Sequence, residues 1–457
     1  MRKFLSDLNN NGQLLIIKEE IDLREISAII SHAQAPILME NVSGYENFSI
    51  ASGFFTKREM IAKILNCSDK KVAQGFNEAL KRMVSPVQVA TSPVKERIMK
   101  GINVDLTELP IPLMHVLDGG PYITGGIIIA EDPLGEFGTN LGMYRLMYRT
   151  KNTTGIDLVT ASDLRTFYQR ALKLGKPLPI SVAIGVHPAL MMAASYKAPL
   201  GLSEYEVAGG IQGTPVELTV SETNNILVPA HAEIILEGEI LPSGWIEPEG
   251  PFGEFAGYQG EVKWNPIIRF NCITLREKAI YYALGMPQEN VWLAAPSTEV
   301  SVLRALINAG IKVHEVRSTT GGACFWHVLI SIEKRAGEGK NALLSALSVG
   351  DIKFAIVTDS DVNIYNQEEV DRALVFRVRP EEDVVIIKGL RAKHIDPTVE
   401  AWKLPKGELP VTSKIGIDAT IPEGIPLQRY QIAQPYGVDL AHIKDCFTQK
   451  RRITLDD

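Results

Sequence analysis

Cysteine is scarce. The four present, Cys67, Cys272, Cys324 and Cys446, lie far apart and form no C-x-x-C pair, which argues against a disulfide framework and for reduced intracellular thiols. Cys324 sits in an apolar and aromatic run and reads as core packing. Long hydrophobic runs are also missing. No window approaches the ~18 apolar residues of a membrane helix, so no membrane insertion is expected. The N-terminus, Met1-Arg2-Lys3-Phe4-Leu5-Ser6-Asp7, turns charged too soon for a signal peptide, and a cytoplasmic protein is expected. Positive charge is in deficit, with 47 Lys and Arg against 54 Asp and Glu and a net charge of −7. No basic stripe points to nucleic acid, and Lys450-Arg451-Arg452 reads as a short solvated tail. An anion-binding protein of this charge must concentrate cations locally, so individual Arg and Lys residues in motifs carry the weight. No G-x-G-x-x-G follows a strand pattern, which argues against a nicotinamide site. There is no internal repeat and no low-complexity segment.

What is present is a chain of 457 residues, 45% hydrophobic and 22% charged, ordinary for a globular protein and too long for one ordinary core. The pattern divides into an N-terminal α+β segment (1–114), a β-rich middle (115–296) and a C-terminal α/β part (297–457). In the first, residues 23–30 have helical spacing, and Thr56-Lys57-Arg58-Glu59 reads as a capping box opening a helix through Leu65. In the middle, 127–130, 233–236, 267–275 and 280–284 read as strands. One helix is expected from an N-cap at Ser162 to Leu174, stopped by Gly175. In the last part, helices at 297–309 and 340–347 and one opening at Asn366 alternate with strands at 328–332, 354–358 and 384–387. That alternation predicts largely parallel strands.

The most informative segment is Pro248-Glu249-Gly250-Pro251-Phe252-Gly253-Glu254. A helix would set the two carboxylates roughly 140° apart, but Pro251 and the glycines forbid regular structure. A glycine-proline loop can turn both toward one point. Two carboxylates in one pocket tend to have their pKa values pushed apart, leaving one ionised and one able to deliver a proton. An arbitrary loop of this composition is a polar surface turn. Two further segments accompany it, Asn140-Leu141-Gly142-Met143-Tyr144-Arg145 and Ser203-Glu204-Tyr205. The Arg145 guanidinium is a permanently charged fork that matches a carboxylate, although Arg149 close by also fits an exposed basic strand. Asn140 and Glu204 offer hard oxygen ligands of the kind that suit Mg²⁺ or Mn²⁺ rather than Zn²⁺.

With Gly125-Gly126, the run Val228–Gly238, Lys353–Val357 and Asp361-Val362-Asn363, these strings in this order resemble the UbiD-type decarboxylase family, whose members use prenylated FMN. The resemblance covers roughly residues 100 to 420. It implies a split β-barrel in the middle of the chain and a homo-oligomer, dimer or hexamer. It also implies a flavin prenyltransferase as the partner that supplies the cofactor. The activity implied is reversible, non-oxidative decarboxylation of an aromatic, heteroaromatic or α,β-unsaturated carboxylic acid through a carbon–carbon adduct with the flavin. By resemblance Arg145 faces the substrate carboxylate, Glu249 pairs with Arg145, and Glu254 protonates carbon. Glu254, desolvated against flavin and substrate, is expected to be the carboxyl of raised pKa.

Gly142, Met143 and Tyr144, with Ser162 and Ser195, are implied to lie against the cofactor, and Lys353 near its phosphate. Asn140 and Glu204 are implied to bind a divalent cation. The third ligand position, commonly histidine in the family, falls on Asp163; otherwise Asp163 is a first-turn acid favoured by the helix dipole. Carbonyls of Ala193, Ala194 and Tyr196, with Glu204, are implied to hold K⁺. His187 is a weaker substitute ligand, His231, Glu237 and Glu247 read as structural or surface groups, and His327 fits either a hydrogen-bonded core residue or a pocket wall. Two rival readings are a subunit of a multi-component aromatic carboxylase and an ordinary FMN-binding oxidoreductase. The intact Arg145, Glu249 and Glu254 set favours catalysis over the first.

Overall fold

The computed structural model describes residues 1–405, 408–433 and 437. Cys446 and the Lys450–Arg452 cluster lie outside them. Contacts divide the chain into Met1–Thr420 and Ile421–Asp457. In the second unit the described residues include one short 3-10 turn, Leu427–Tyr430.

The middle of the chain forms a nine-stranded sheet. Its main path runs Tyr122–Ile123, Leu146–Thr150, Thr153–Ile156, Ile267–Leu275, Ile234–Ile240, Leu178–Ile184, Ile127–Glu131, Thr139–Met143. All pairings along it are antiparallel. Thr139–Met143, the last strand of this path, and Leu146–Thr150, its second, are joined by Tyr144-Arg145 alone. Three Cα steps of ~3.8 Å span at most ~11 Å, so the sheet must curl until its ends approach. That closure without edge pairing is the expected split barrel, and it sets Arg145 where the two ends meet. Gly125, at the start of one barrel strand, lies against the neighbouring sheet. A Cβ there would stand 2.5 Å from the Tyr282 carbonyl oxygen.

That neighbouring sheet has four strands in the order Leu15–Ile21, Ile37–Val42, Phe48–Ser52, Ala279–Tyr282. The last comes from the middle of the chain and pairs in parallel with Phe48–Ser52. One continuous hydrophobic core accordingly runs from Met1 to Val300 and includes both sheets. The C-terminal sheet has the order Val313–Ser318, His327–Ile332, Phe354–Asp359, Val411–Asp418, Val384–Arg391. Its two inner pairings are parallel and its two outer ones antiparallel, so the expected parallel character holds for the centre and not the edges.

Some local expectations meet the structure directly. The helix Asp163–Lys173 is capped by the Ser162 hydroxyl, which accepts from the Arg165 amide. Asn366 caps Gln367–Arg377 in the same way, accepting from the Glu368 amide. Others differ. The helix expected over 23–30 runs Ile26–Ala33. The helix near Thr56 is Arg58–Ile64 with Lys57 at the cap position, and the Thr56 hydroxyl is buried without a partner among the described residues. The helix expected from Ser297 begins at Gln288 and carries Pro296 inside it. Proline is a strong local stop signal, and here packing overrides it: Pro296, Ser297 and Glu299 are all buried. The expected boundary at 296/297 therefore falls within this helix.

Candidate active site

Arg145 is the hub of a buried ionic cluster. Its Nε and Nη2 donate to Glu249 Oε1 and Oε2 at 3.0 and 2.8 Å. Its Nη1 donates to Glu254 Oε1 at 2.7 Å, and Nη2 lies 3.0 Å from Asp157 Oδ2. Lys263 Nζ donates to Glu254 Oε1 at 2.8 Å and Asp157 Oδ2 at 3.2 Å. The Phe252 ring covers the guanidinium, 4.9 Å from its carbon. Glu249 is fully buried. Burial works against the Arg145 charge, but Asp157, Glu249 and Glu254 outweigh it and hold the group protonated. Burial likewise pushes the Asp157 carboxyl up, while Arg145 and Lys263 hold it well below the usual carboxylate range.

Local structure explains the convergence. Glu247–Glu249 pairs with Lys263–Asn265, with Glu249 directly opposite Lys263. Asn265 Oδ1 accepts from the Leu158 amide at 2.8 Å and ties this hairpin to the segment carrying Asp157. Between the two strands the chain must reverse and return. Gly250 has φ +102°, a left-handed value that excludes most side chains. Gly253 lies so close to His115 that a Cβ would stand 2.4 Å from the imidazole. The Gly253 amide donates to Asp118 Oδ1 at 2.8 Å, and Asp118 Oδ2 lies 3.0 Å from His115 Nδ1. Glu254 is thus presented by a loop fastened to the segment His115–Asp118.

A second cluster lies at Asn140, Asp163 and Glu204. Asn140 is in the strand Thr139–Met143, and Glu204 opens the helix Glu204–Gln212 behind the Ser203 cap. Asn140 Nδ2 donates to Glu204 Oε1 at 3.4 Å, and Glu204 Oε2 accepts from the Leu141 amide at 3.1 Å. Burial, with the Asp163 charge adding, pushes the Glu204 carboxyl up to about 8; burial also raises Asp163. Asn140 Oδ1 is buried with no hydrogen-bond partner among the described residues. Among those residues no group of three or more His, Cys, Asp and Glu converges as a metal site. The set here is two carboxylates and an amide oxygen. An orphaned hard oxygen beside the buried Glu204 and the half-buried Asp163 is what a Mg²⁺- or Mn²⁺-sized cation would satisfy, so these residues fit such an ion. Nearby, the Ala193 carbonyl accepts from Tyr196 N and the Tyr196 carbonyl from Ala198 N, each at 3.0 Å. A carbonyl has a second lone pair for a cation.

Both clusters open onto one cavity of about 900 Å³. Its wall includes Asn140, Gly142, Met143, Tyr144, Arg145, Ser162, Asp163, Ala194, Ser195, Tyr196, Glu204 and Glu254. Ser195 Oγ also lies 3.4 Å from Met143 Sδ. Glu249 and Ala193 stand behind the wall, fully buried. Two expectations are not met as stated. Glu254 does not sit apart from the ion pair: it shares Arg145 with Glu249. Lys353 does not reach the cavity; its ammonium donates to Asp396 Oδ2 at 2.7 Å and Thr398 Oγ1 at 2.8 Å. Of the two readings open for His327, the structure matches the hydrogen-bonded one: it is outside the wall, with its Nδ1 2.9 Å from Thr319 Oγ1.

Of the other histidines, His187 caps a helix by accepting from the Ala189 amide, and His231 pairs with Glu217 at the surface, 2.6 Å away. Glu237 accepts from the Glu222 and Thr223 amides. Burial pushes the Cys324 thiol up to about 12, as befits a core residue. Sequence reasoning did not single out Asp157, Lys263, Lys197, Asp351, Arg391 or Lys393. For Lys263 a signal existed in the Glu-Pro-Glu and Lys-Trp-Asn strings, which pair as a hairpin. The others carry none that is local.

Three family profiles match the chain. Those of the 3-octaprenyl-4-hydroxybenzoate carboxy-lyase N-terminal, Rift-related and C-terminal domains cover residues 5–80, 85–288 and 291–419. Among similar proteins, anhydromevalonate phosphate decarboxylase of Methanothermobacter thermautotrophicus is 32% identical, over 92% of this chain and 97% of its own. Phenolic acid decarboxylase of Bacillus subtilis is 32% identical, over 95% and 94%. Among solved structures, HmfF of Pelotomaculum thermopropionicum in complex with FMN superposes with a TM-score of 0.87 at 34% identity, over 98% of this chain and 99% of that one. An evolved dimeric form of HmfF in complex with prFMN gives 0.82 at 34%, over 96% and 99%. The chain belongs to the UbiD family of decarboxylases, which are carboxy-lyases.

Proposed function

We propose that this chain catalyses the reversible, non-oxidative decarboxylation of an aromatic, heteroaromatic or α,β-unsaturated carboxylic acid, with prenylated FMN as cofactor. The observation that carries the reading is the Arg145 fork, clamped by Glu249 on one edge and shared with Glu254 on the cavity side. The FMN and prFMN complexes of HmfF support the choice of cofactor. When bound, the prenylated flavin supplies the electron sink that a departing CO2 requires; the covalent route implied by the family resemblance is part of this proposal. Asn140, Asp163 and Glu204 would hold the divalent cation, Mn²⁺ or Mg²⁺. Carbonyls of Ala193, Ala194 and Tyr196, with Glu204, would hold K⁺. A flavin prenyltransferase supplying the cofactor and a homo-oligomeric assembly complete the reading.

The chain's own groups have defined tasks. Glu249 fixes the plane of Arg145 and leaves Nη1 facing the cavity. A substrate carboxylate that takes Nη1 displaces Glu254 from its shortest ion pair and brings a second negative charge beside it. Both effects favour transfer of a proton to Glu254 once the substrate is bound. As the carbon–carboxylate bond breaks and CO2 leaves, Glu254 gives that proton to the carbon, so each turnover consumes one proton from solvent. Lys263 holds Glu254 Oε1, which leaves Oε2 to carry the proton.

The test is Glu254→Gln. CO2 release should fall by about 10²–10⁴-fold, the worth of a positioned acid, with flavin and metal content unchanged. Turnover at the wild-type rate would remove Glu254 as the proton donor.

A further inference from the structure

The wall of the same cavity carries a cation cluster that the reading above does not use. Lys197, Arg391 and Lys393 surround a single carboxylate, Asp351. Lys197 is ion-paired with Asp351, Arg391 Nε lies 3.6 Å from Oδ1, and Lys393 Nζ lies 3.9 Å from Oδ2. The Asp351 side chain is 2% exposed and that of Lys393 14%. All four line the cavity. Lys393 is also held over aromatic rings, its ammonium 4.4 Å from the Phe325 ring centre and 5.9 Å from that of Phe255. Lys197 Nζ lies 4.5 Å from the centre of the same Phe325 ring.

Three cations against one carboxylate leave an excess of positive charge on the cavity wall, in a chain whose net charge is −7; Lys393 is largely buried, while the side chains of Lys197 and Arg391 are each 46% exposed. Burial, reinforced by Lys197, pushes the Lys393 ammonium down to about 8, and Asp351 and Asp157 compensate only in part. A buried charge is costly unless it is paired. Asp351 orients the cluster without neutralising it. Phe255, which the Lys393 ammonium faces, directly follows Glu254, so the cluster and the proton donor face the same space across one aromatic residue.

We infer that Lys393, with Lys197 and Arg391, binds a second anionic group on the substrate, a carboxylate or phosphate at the end remote from the carboxylate that leaves. The acid this chain prefers is then a dianion or carries more charge still, laid along Phe255 with one anionic end on Arg145 and the other on Lys393. The inference rests on the decarboxylase reading of the same cavity.

The test is binding, read without turnover, on flavin-loaded full-length protein. Calorimetric titrations compare acids matched in shape: terephthalate and 4-phosphonobenzoate against 4-methylbenzoate, and fumarate against crotonate. At least one dianion should bind about tenfold or more tighter than its monoanionic partner, as a charge-assisted contact allows. Lys393→Met and Lys197→Met should each shrink that ratio to about threefold or less, with flavin absorbance per protomer unchanged. Equal affinities in the wild type, or a ratio untouched by both variants, would overturn the inference. Loss of flavin from the variants would overturn it as well, because the cluster would then serve the cofactor's own phosphate. A wild type that prefers dianions yet releases no CO2 upholds this site and contradicts the decarboxylase reading.

Discussion

Replacing Glu249 with glutamine keeps the shape of the side chain and removes one charge. Glu249 is fully buried and engages two nitrogens of Arg145 at 3.0 and 2.8 Å. Glutamine offers one acceptor, and its amide nitrogen faces a donor. Stripping a buried ion of its partner costs about 3–5 kcal/mol. Here Asp157 at 3.0 Å and Glu254 at 2.7 Å still face Arg145, so the loss approaches that of one hydrogen bond to a charged group, about 2 kcal/mol of stability. The larger effect is on rate. With its second anchor gone, the guanidinium turns toward Asp157 and Glu254, and the fork no longer faces the substrate. A misplacement of that kind costs about 10²-fold, or about 2.7 kcal/mol of barrier. Thermal unfolding gives the first quantity. CO2 release, on whichever acid the wild type turns over, gives the second. Turnover within threefold of wild type, with flavin bound, would refute the idea that Glu249 positions Arg145.

The structure supports three more expectations. Asp163→Ala should reduce divalent metal content and flavin retention together; if both stay at wild-type levels, Asp163 is only a first-turn acid of its helix. Asp157 has a folded pKa below the unfolded value of ~3.9, so its stabilising contribution is present above about pH 4 and is lost as pH falls through the folded value. Asp157→Asn should therefore flatten the acid limb of the stability profile, and an unchanged limb would mean that its ion pairs contribute nothing net. Gly253→Ala places a methyl group against the His115 ring and should cut turnover by about tenfold or more through displacement of the Glu254 loop, with His115→Ala restoring part of it. Wild-type turnover in the Gly253→Ala protein would show that the loop tolerates the shift.

Much of the site was legible because its residues travel in short strings with local causes. Arg145 ends a strand string and sits in a two-residue link. Glu249 and Glu254 flank glycines that a reversal demands, and Ser162 precedes a helix whose first turn needs a cap. What stayed hidden depends on pairing across long stretches of chain. Lys263 meets Glu254 only because Glu249 and Lys263 share a hairpin register. Asp351 gathers Lys197 from one segment and Arg391 and Lys393, two residues apart, from another, and nothing in sequence reports that they meet. Lys353 enters its strand where expected, yet its ammonium goes to Asp396, a partner 43 positions away. Pro296 hid the first turns of a long helix because tertiary burial outweighed a local stop signal. The curl of the barrel was implied by resemblance, and its physical reason appears only when the strand order shows Tyr144-Arg145 bridging the last strand of the sheet's main path and its second.

The most direct test of the proposed chemistry is the identity of the cofactor. Protein co-expressed with a flavin prenyltransferase would be denatured, and the released flavin examined by mass spectrometry and absorption. Prenylated FMN in stoichiometric amount, together with CO2 release from an unsaturated or aromatic acid, is the expected result. Protein that carries no flavin, or that carries unmodified FMN reduced by NADH, would contradict the proposal.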